Sequence, residues 1–184
     1  MQKIHQPLFT KLPLNRVYRV LRKAYAASPL DGEGAFLYGG RWSSPGIRLA
    51  YTSEHQSLAM LEYFVHLDAE AAPADLVLVT AEIPNDVSKL QLSLDQLPSR
   101  WRMFPAPAEL ATFGDEFARK NERCILIVPS AQAPGENNWL LNPQHADFEK
   151  IVVLPAEPLS YDPRMFATAR RRHKHAAAKP PKSG

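Results

Sequence analysis

Three residue types that handle phosphorylated ligands and developing positive charge stand ten and eleven residues apart in one run of this chain: Arg41, Tyr51 and Glu62. A guanidinium is a permanently charged planar fork that pairs with phosphate oxygens two at a time. A phenol ring offers a face for stacking, worth roughly 0.5–1.5 kcal/mol beyond its area burial. A fixed carboxylate stabilises a cationic transition state. Each residue also has a plainer reading. A glutamate on a helix margin is often a boundary residue paired with a neighbour, Arg19 further upstream reads as a surface charge on a strand, and Ser130 reads as a turn-former.

The elements around these residues follow from spacing. Gly39-Gly40 and Ser43-Ser44-Pro45-Gly46 are turn chemistry, so Arg41 and Trp42 sit on a constrained loop. Ile47, Leu49 and Tyr51 alternate with Arg48, Ala50 and Thr52, which predicts a strand closed by Tyr51. Ser53 with Gln56 is a capping-box pattern, and Leu58, Leu61 and Val65 follow at helical spacing. A helix over about 54–67 is predicted, with Glu62 bordering its apolar stripe on a row with His55, Ala59 and His66. Upstream, residues 16–20 alternate like a strand with Arg19 on the face opposite Tyr18, and residues 26–38 read as a loop. Downstream, strands are predicted over 76–83, 124–128 and 151–154, and a helix over 109–121 weakened by Gly114. Residues 135–145, rich in asparagine with Asn137, Asn138 and Asn142, read as an ordered loop that bonds its own backbone or a ligand.

The run GEGAFLYGGRWSSPGIRLAYTSEHQSLAMLEYFVH, with VYRV before it and IVPSAQAPGENNWLLNPQH after it, resembles the RES family, the toxin halves of bacterial RES–Xre toxin–antitoxin pairs. The similarity spans about residues 14–166. It implies a fold related to the ADP-ribosyltransferases, an activity that destroys NAD by cleaving its nicotinamide–ribose bond, an Xre-type helix-turn-helix antitoxin as partner, and a homodimer. NAD is then a substrate, and no cofactor and no metal is required. Carried onto this chain, the family's catalytic Arg, Glu and Ser resemble Arg41, Glu62 and Ser130, with Arg19, Tyr51 and Asn138 as substrate-binding residues. The family's loop usually reads GGRWN, whereas Ser43 stands in the asparagine place here, and a tryptophan usual near the second helix is absent from GDEFA. Water, phosphate and a protein side chain all stay open as the acceptor. So do transfer of ADP-ribose to a protein target and, from a different class, a non-catalytic nucleotide- or nucleic-acid-binding module.

Composition bounds the rest. The 184 residues, 45% hydrophobic, suit one compact α+β domain whose mixed β-sheet core is flanked by helices, because strands outnumber the two longer predicted helices without alternating regularly with them. The expected organisation is a lead-in over 1–13, the domain over 14–166 and a basic tail over 167–184. Seven of the 22 Lys and Arg lie from Arg164 onward with no acid among them, leaving 15 basic against 19 acidic residues before it. The body is therefore acidic, and the formal net charge of +3 belongs to the tail, whose expected state is solvated and mobile. Direct binding of nucleic acid by that tail is the less favoured reading. There is no Walker or dinucleotide fingerprint, no eighteen-residue apolar run and no signal-peptide pattern, so a soluble cytoplasmic protein is expected. Cys124 lies inside the apolar run CILIV and reads as a buried small hydrophobe.

Overall fold

The computed structural model describes residues 14–67 and 73–166. The lead-in and the basic tail expected from the sequence lie outside the described residues. Eight strands form one sheet: β1 (Leu14–Arg22), β2 (Ala50–Ser53), β3 (Leu76–Pro84), β4 (Lys89–Gln91), β5 (Ile125–Pro129), β6 (Asn137–Leu141), β7 (Val152–Val153) and β8 (Glu157–Pro158). Their order is β4-β5-β6-β2-β1-β3-β7, with β8 also on β3. Every pair is antiparallel except β4 with β5. Among the described residues there are three α-helices, α1 (Glu33–Tyr38), α2 (Gln56–Phe64) and α3 (Glu109–Lys120), besides short 3-10 turns. The α+β class expected from the sequence is the class observed.

The sheet's two halves meet at one point. β1 pairs with β3 along its whole length, but with β2 only at Tyr18 opposite Ser53. One face of the sheet buries Val17, Ala50, Ala81, Ile125, Ile127, Trp139 and Leu141. The other carries Leu126, Val128 and Leu140, covered by Leu110 and Phe117 of α3 and by Trp42 and Trp101 from the loops. On that same face α2 lays Ala59 against Val20 and Leu78. Burial of these large side chains, at roughly 1.5–3 kcal/mol each, is what orders both helices, since helices of nine and twelve residues are marginal in isolation.

Several sequence expectations are corrected. The segment read as a loop over 26–38 contains α1, because Ala35 finds a buried place. β2 begins only at Ala50 and α2 is shorter than predicted. The capping box does not form: the N-cap of α2 is His55 with no side-chain bond, and the Ser53 hydroxyl goes to β6 instead. Leu61 and Val65, expected on the buried stripe, are 36% and 44% exposed, while Leu58 and Ala59 are buried. The helix is thus rotated so that the row of Ala59 and Glu62 faces inward. Residues 137–141, read as part of a loop, are a central strand, because pairing with β5 and β2 on its two edges overrides the turn preference of the asparagines. β4 and β8 were not anticipated at all.

Candidate active site

β2 runs directly into α2, and the turn between them is tied to β6. Asn137 donates from its backbone N–H and its Nδ2 to Glu54, at 2.6 Å and 3.3 Å to Oε1. His55 Nδ1 lies 3.0 Å from Glu136 Oε2. Glu54, His55 and Glu136 bring potential metal-ligating atoms within 4.8 Å of one another, but these atoms already brace the turn. With its start fixed, α2 carries Glu62 over the ends of β5 and β6.

There the carboxylate meets two donors on one oxygen. Ser130 Oγ donates to Glu62 Oε1 at 2.8 Å, and Asn138 Nδ2 donates to the same atom at 2.6 Å. Among the described residues no donor reaches Oε2. Ser130 is itself buried and fully engaged, since its Oγ accepts the backbone N–H groups of Gln132 and Ala133, each at 3.0 Å. Its single proton therefore serves Glu62.

Arg41 and Tyr51 stand beside this cluster. Gly39 has φ of 68°, a left-handed conformation that L side chains rarely adopt. At Gly40 a Cβ would come within 2.7 Å of the Tyr51 hydroxyl. The two glycines thus let the loop close on the phenol, which accepts the N–H of Trp42 at 3.1 Å and shares a hydrogen bond with Ser43 Oγ at 2.9 Å. Burial pushes the Tyr51 phenol up to about 12, against the lowering effect of those bonds, so it is neutral at physiological pH. Ser43 is one of the two groups that hold it. The loop places the Arg41 guanidinium so that Nη1 donates to the carbonyls of Trp101 at 2.6 Å and Met103 at 3.2 Å. Burial lowers the Arg41 pKa, opposed first by the charge of Glu62 and then by Tyr51. The cation therefore lies within electrostatic reach of both.

Arg19 is placed differently. By strand alternation it belongs to the face of Val17, opposite that of Tyr18, Ser53 and Asn138. Its Nη1 donates to the Pro29 carbonyl at 3.0 Å, and burial lowers its pKa against the opposing charge of Asp31. It lines a cavity of about 550 Å³ together with Arg22, Tyr25, Ser28, Tyr38 and Tyr63. Tyr63, the residue after Glu62 on α2, is in that lining, whereas Glu62, Ser130 and Asn138 are not. The structure thus unites Glu62, Ser130 and Asn138 by hydrogen bonds, sets Arg41 and Tyr51 beside them, and leaves Arg19 on the far side of the β1–β2 junction.

Sequence reasoning misses several contributors. Ser53 reads as a cap, the carbonyls of Trp101 and Met103 carry no side-chain signal, and Tyr25, Tyr38 and Tyr63 around the Arg19 cavity stand far apart in the chain. Asp115, buried on α3, accepts the N–H of Ser44 at 2.8 Å and steadies the same loop.

The fold and this geometry define a single-sheet α+β protein with a carboxylate-centred site at the junction of two half-sheets. The profile of the RES domain matches residues 16–162, so the chain belongs to the RES domain family. It is 38% identical over 151 residues to "Toxin Res" of Yersinia enterocolitica, covering 81% of this chain and 98% of that protein. It is 36% identical over 149 residues to the "Prs ADP-ribosylating toxin" of a Sphingobium species, covering 80% and 92%. Among solved structures, a chain of the M. tuberculosis MbcT–MbcA toxin–antitoxin complex superposes with a TM-score of 0.65 at 19% identity, over 87% of this chain and 91% of that one. At that identity the likeness speaks to the fold.

Proposed function

We propose that this protein is a toxin that cleaves the nicotinamide–ribose bond of NAD, with Glu62 as the acting carboxylate. The observation that carries the reading is the pair of hydrogen bonds from Ser130 and Asn138 to a single oxygen of Glu62, which immobilises the group and leaves Oε2 without a donor among the described residues. In the reaction the bond from ribose C1′ to the pyridinium nitrogen breaks, and nicotinamide departs with the electron pair and becomes neutral. Positive charge then develops at C1′ and the ring oxygen. A preorganised carboxylate stabilises that charge directly or through the ribose hydroxyls. An acceptor oxygen then bonds to C1′: water gives up a proton to solvent as it does so, whereas an ionised oxygen of inorganic phosphate has none to lose. Arg41, held by two carbonyls through Nη1, keeps donors free for a pyrophosphate oxygen. The half-buried Tyr51 ring supplies a face for the nicotinamide, and Arg19 takes a phosphate or ribose group that reaches the cavity it lines.

A second acceptor is favoured by the Sphingobium relative, whose name assigns it ADP-ribosylation: a protein side chain in place of water or phosphate. The same bond breaks, and only the final acceptor differs. We further place the protein in the cytoplasm, where NAD is available, as a homodimer neutralised by an Xre-type antitoxin. Among the described residues no helix is long and apolar enough to cross a membrane.

Purified protein is incubated with NAD, with and without phosphate, and the products are identified. Free nicotinamide with ADP-ribose indicates water as acceptor, and ADP-ribose 1″-phosphate indicates phosphate. Labelled protein from added lysate, with little free turnover, indicates transfer. NAD left intact under all three conditions overturns the proposal.

A further inference from the structure

Ser53 is the last residue of β2, 3% exposed, and stands at the one point where the two half-sheets join, with Tyr18 opposite it on β1 and Asn138 opposite it on β6. Its Oγ lies 2.7 Å from Asn138 Oδ1. An ionised carboxylate only accepts hydrogen bonds, so the Asn138 amide must turn its nitrogen to Glu62, and its oxygen then faces Ser53. A flipped amide would set oxygen against oxygen at 2.6 Å. Every proton in the chain runs one way: Ser53 hydroxyl to Asn138 oxygen, Asn138 nitrogen to Glu62 Oε1, Ser130 hydroxyl to the same Oε1. Hydrogen bonds in series of this kind polarise one another.

We propose that Ser53 is a positioning residue of this site: its hydroxyl fixes the orientation of the Asn138 amide, which in turn commits Glu62 Oε1 to the protein and presents Oε2 to the substrate. The inference rests on the reading of Glu62 as the acting carboxylate. At 3% exposure Ser53 lies beneath the site, so it acts on the rate of the chemical step and not on NAD affinity. Ser53→Ala leaves the amide oxygen without its donor, so the amide is held from the Glu62 side alone and its position loosens.

Steady-state turnover of NAD is measured for wild type, Ser53→Ala, Ser53→Thr, Asn138→Ala and the double variant Ser53→Ala/Asn138→Ala, with thermal midpoints for each. Ser53→Ala is expected to lower kcat about tenfold, the size of effect a single lost hydrogen bond in a preorganised site produces, while KM stays within about twofold. Ser53→Thr, which keeps the hydroxyl, restores kcat. In the Asn138→Ala background the further Ser53→Ala change has no effect on kcat, because its lever is already gone. An unchanged kcat in Ser53→Ala, or an equal loss in both backgrounds, overturns the proposal. Should Ser53→Ala fail to fold, Ser53→Cys keeps the branching of the side chain, slightly enlarged, with only a weak donor, and an unchanged kcat there is equally fatal. If wild type leaves NAD intact, the functional reading fails separately. The positioning claim is then decided by the Asn138 side-chain amide resonances, which shift between wild type and Ser53→Cys if the proposal holds and coincide if it does not.

Discussion

At the scale of single residues, the site is built from a carboxylate whose two oxygens have different neighbours. Oε1 is occupied by Ser130 and Asn138, and substitution at Glu62 separates chemistry from packing. Glu62→Gln keeps the shape of the side chain, but its amide nitrogen has no acceptor among those two donors and its oxygen carries no full charge. It is expected to reduce NAD turnover at least a hundredfold with a thermal midpoint near that of wild type, the range typical of one lost electrostatic element in an active site. Comparable turnover would remove Glu62 from the role proposed for it. Arg41→Ala tests a different contribution. The guanidinium spans the loop and the carbonyls of Trp101 and Met103, so its loss should raise KM for NAD and lower stability by about 1 kcal/mol, with a smaller change in kcat. A variant with unchanged KM would show that the arginine only braces the loop.

At the scale of elements, α3 positions the Arg41 loop without contributing a side chain to the chemistry. Gly114 reads in sequence as a weak point, because glycine inside a helix costs about 1 kcal/mol relative to alanine. In the folded chain a Cβ at Gly114 would fall 1.8 Å from the carbonyl oxygen of Trp42, the residue after Arg41. The close approach allows α3 to lie against the loop, and Asp115 on the next position accepts from Ser44. Gly114→Ala should therefore destabilise by about 1–3 kcal/mol, the usual penalty of overpacking, instead of stabilising. It should also raise KM for NAD by displacing Arg41. Chemical denaturation midpoints check the first effect and steady-state kinetics the second. A gain in stability would show that loop and helix part at no penalty.

At the scale of the whole molecule, three buried acids govern the alkaline limit. Burial pushes the phenols of Tyr51 and Tyr161 up to about 12 from an ordinary value near 10, and the thiol of Cys124 up to about 12 from near 9. In each case the folded protein holds its proton more tightly than the unfolded chain. Their contribution is fully present below about pH 9 and is lost as the pH rises from there through about 12. The urea midpoint should be flat from pH 7 to 8.5 and fall steadily above it, with a shallower fall in Tyr51→Phe. A midpoint independent of pH up to 11 would contradict the burial of these groups. At this scale too, expression should arrest growth of a bacterial host, with rescue by a cognate helix-turn-helix antitoxin. Growth unaffected by the wild-type chain would count against the toxin reading.

Much of the site was legible in the chain itself. The paired glycines before Arg41, the strand ending near Tyr51 and the helix bearing Glu62 follow from turn chemistry and hydrophobic period, which are local properties. The acidic body and basic tail, the α+β class and the buried place of Cys124 follow from composition and patterning in the same way. Tertiary structure decided the remainder. Which way α2 faces depends on Ala59 meeting Val20 and Leu78, not on its most apolar row, so Leu61 and Val65 came out exposed. Whether 137–141 is loop or strand depends on two partner strands that close on it from distant parts of the chain. The hydroxyl of Ser53 had a local partner on offer three residues ahead and took one 85 residues away. Local rules assign elements because neighbouring residues share backbone constraints. Orientation, pairing and the direction of each buried proton are set only when the sheet brings remote segments within hydrogen-bond distance.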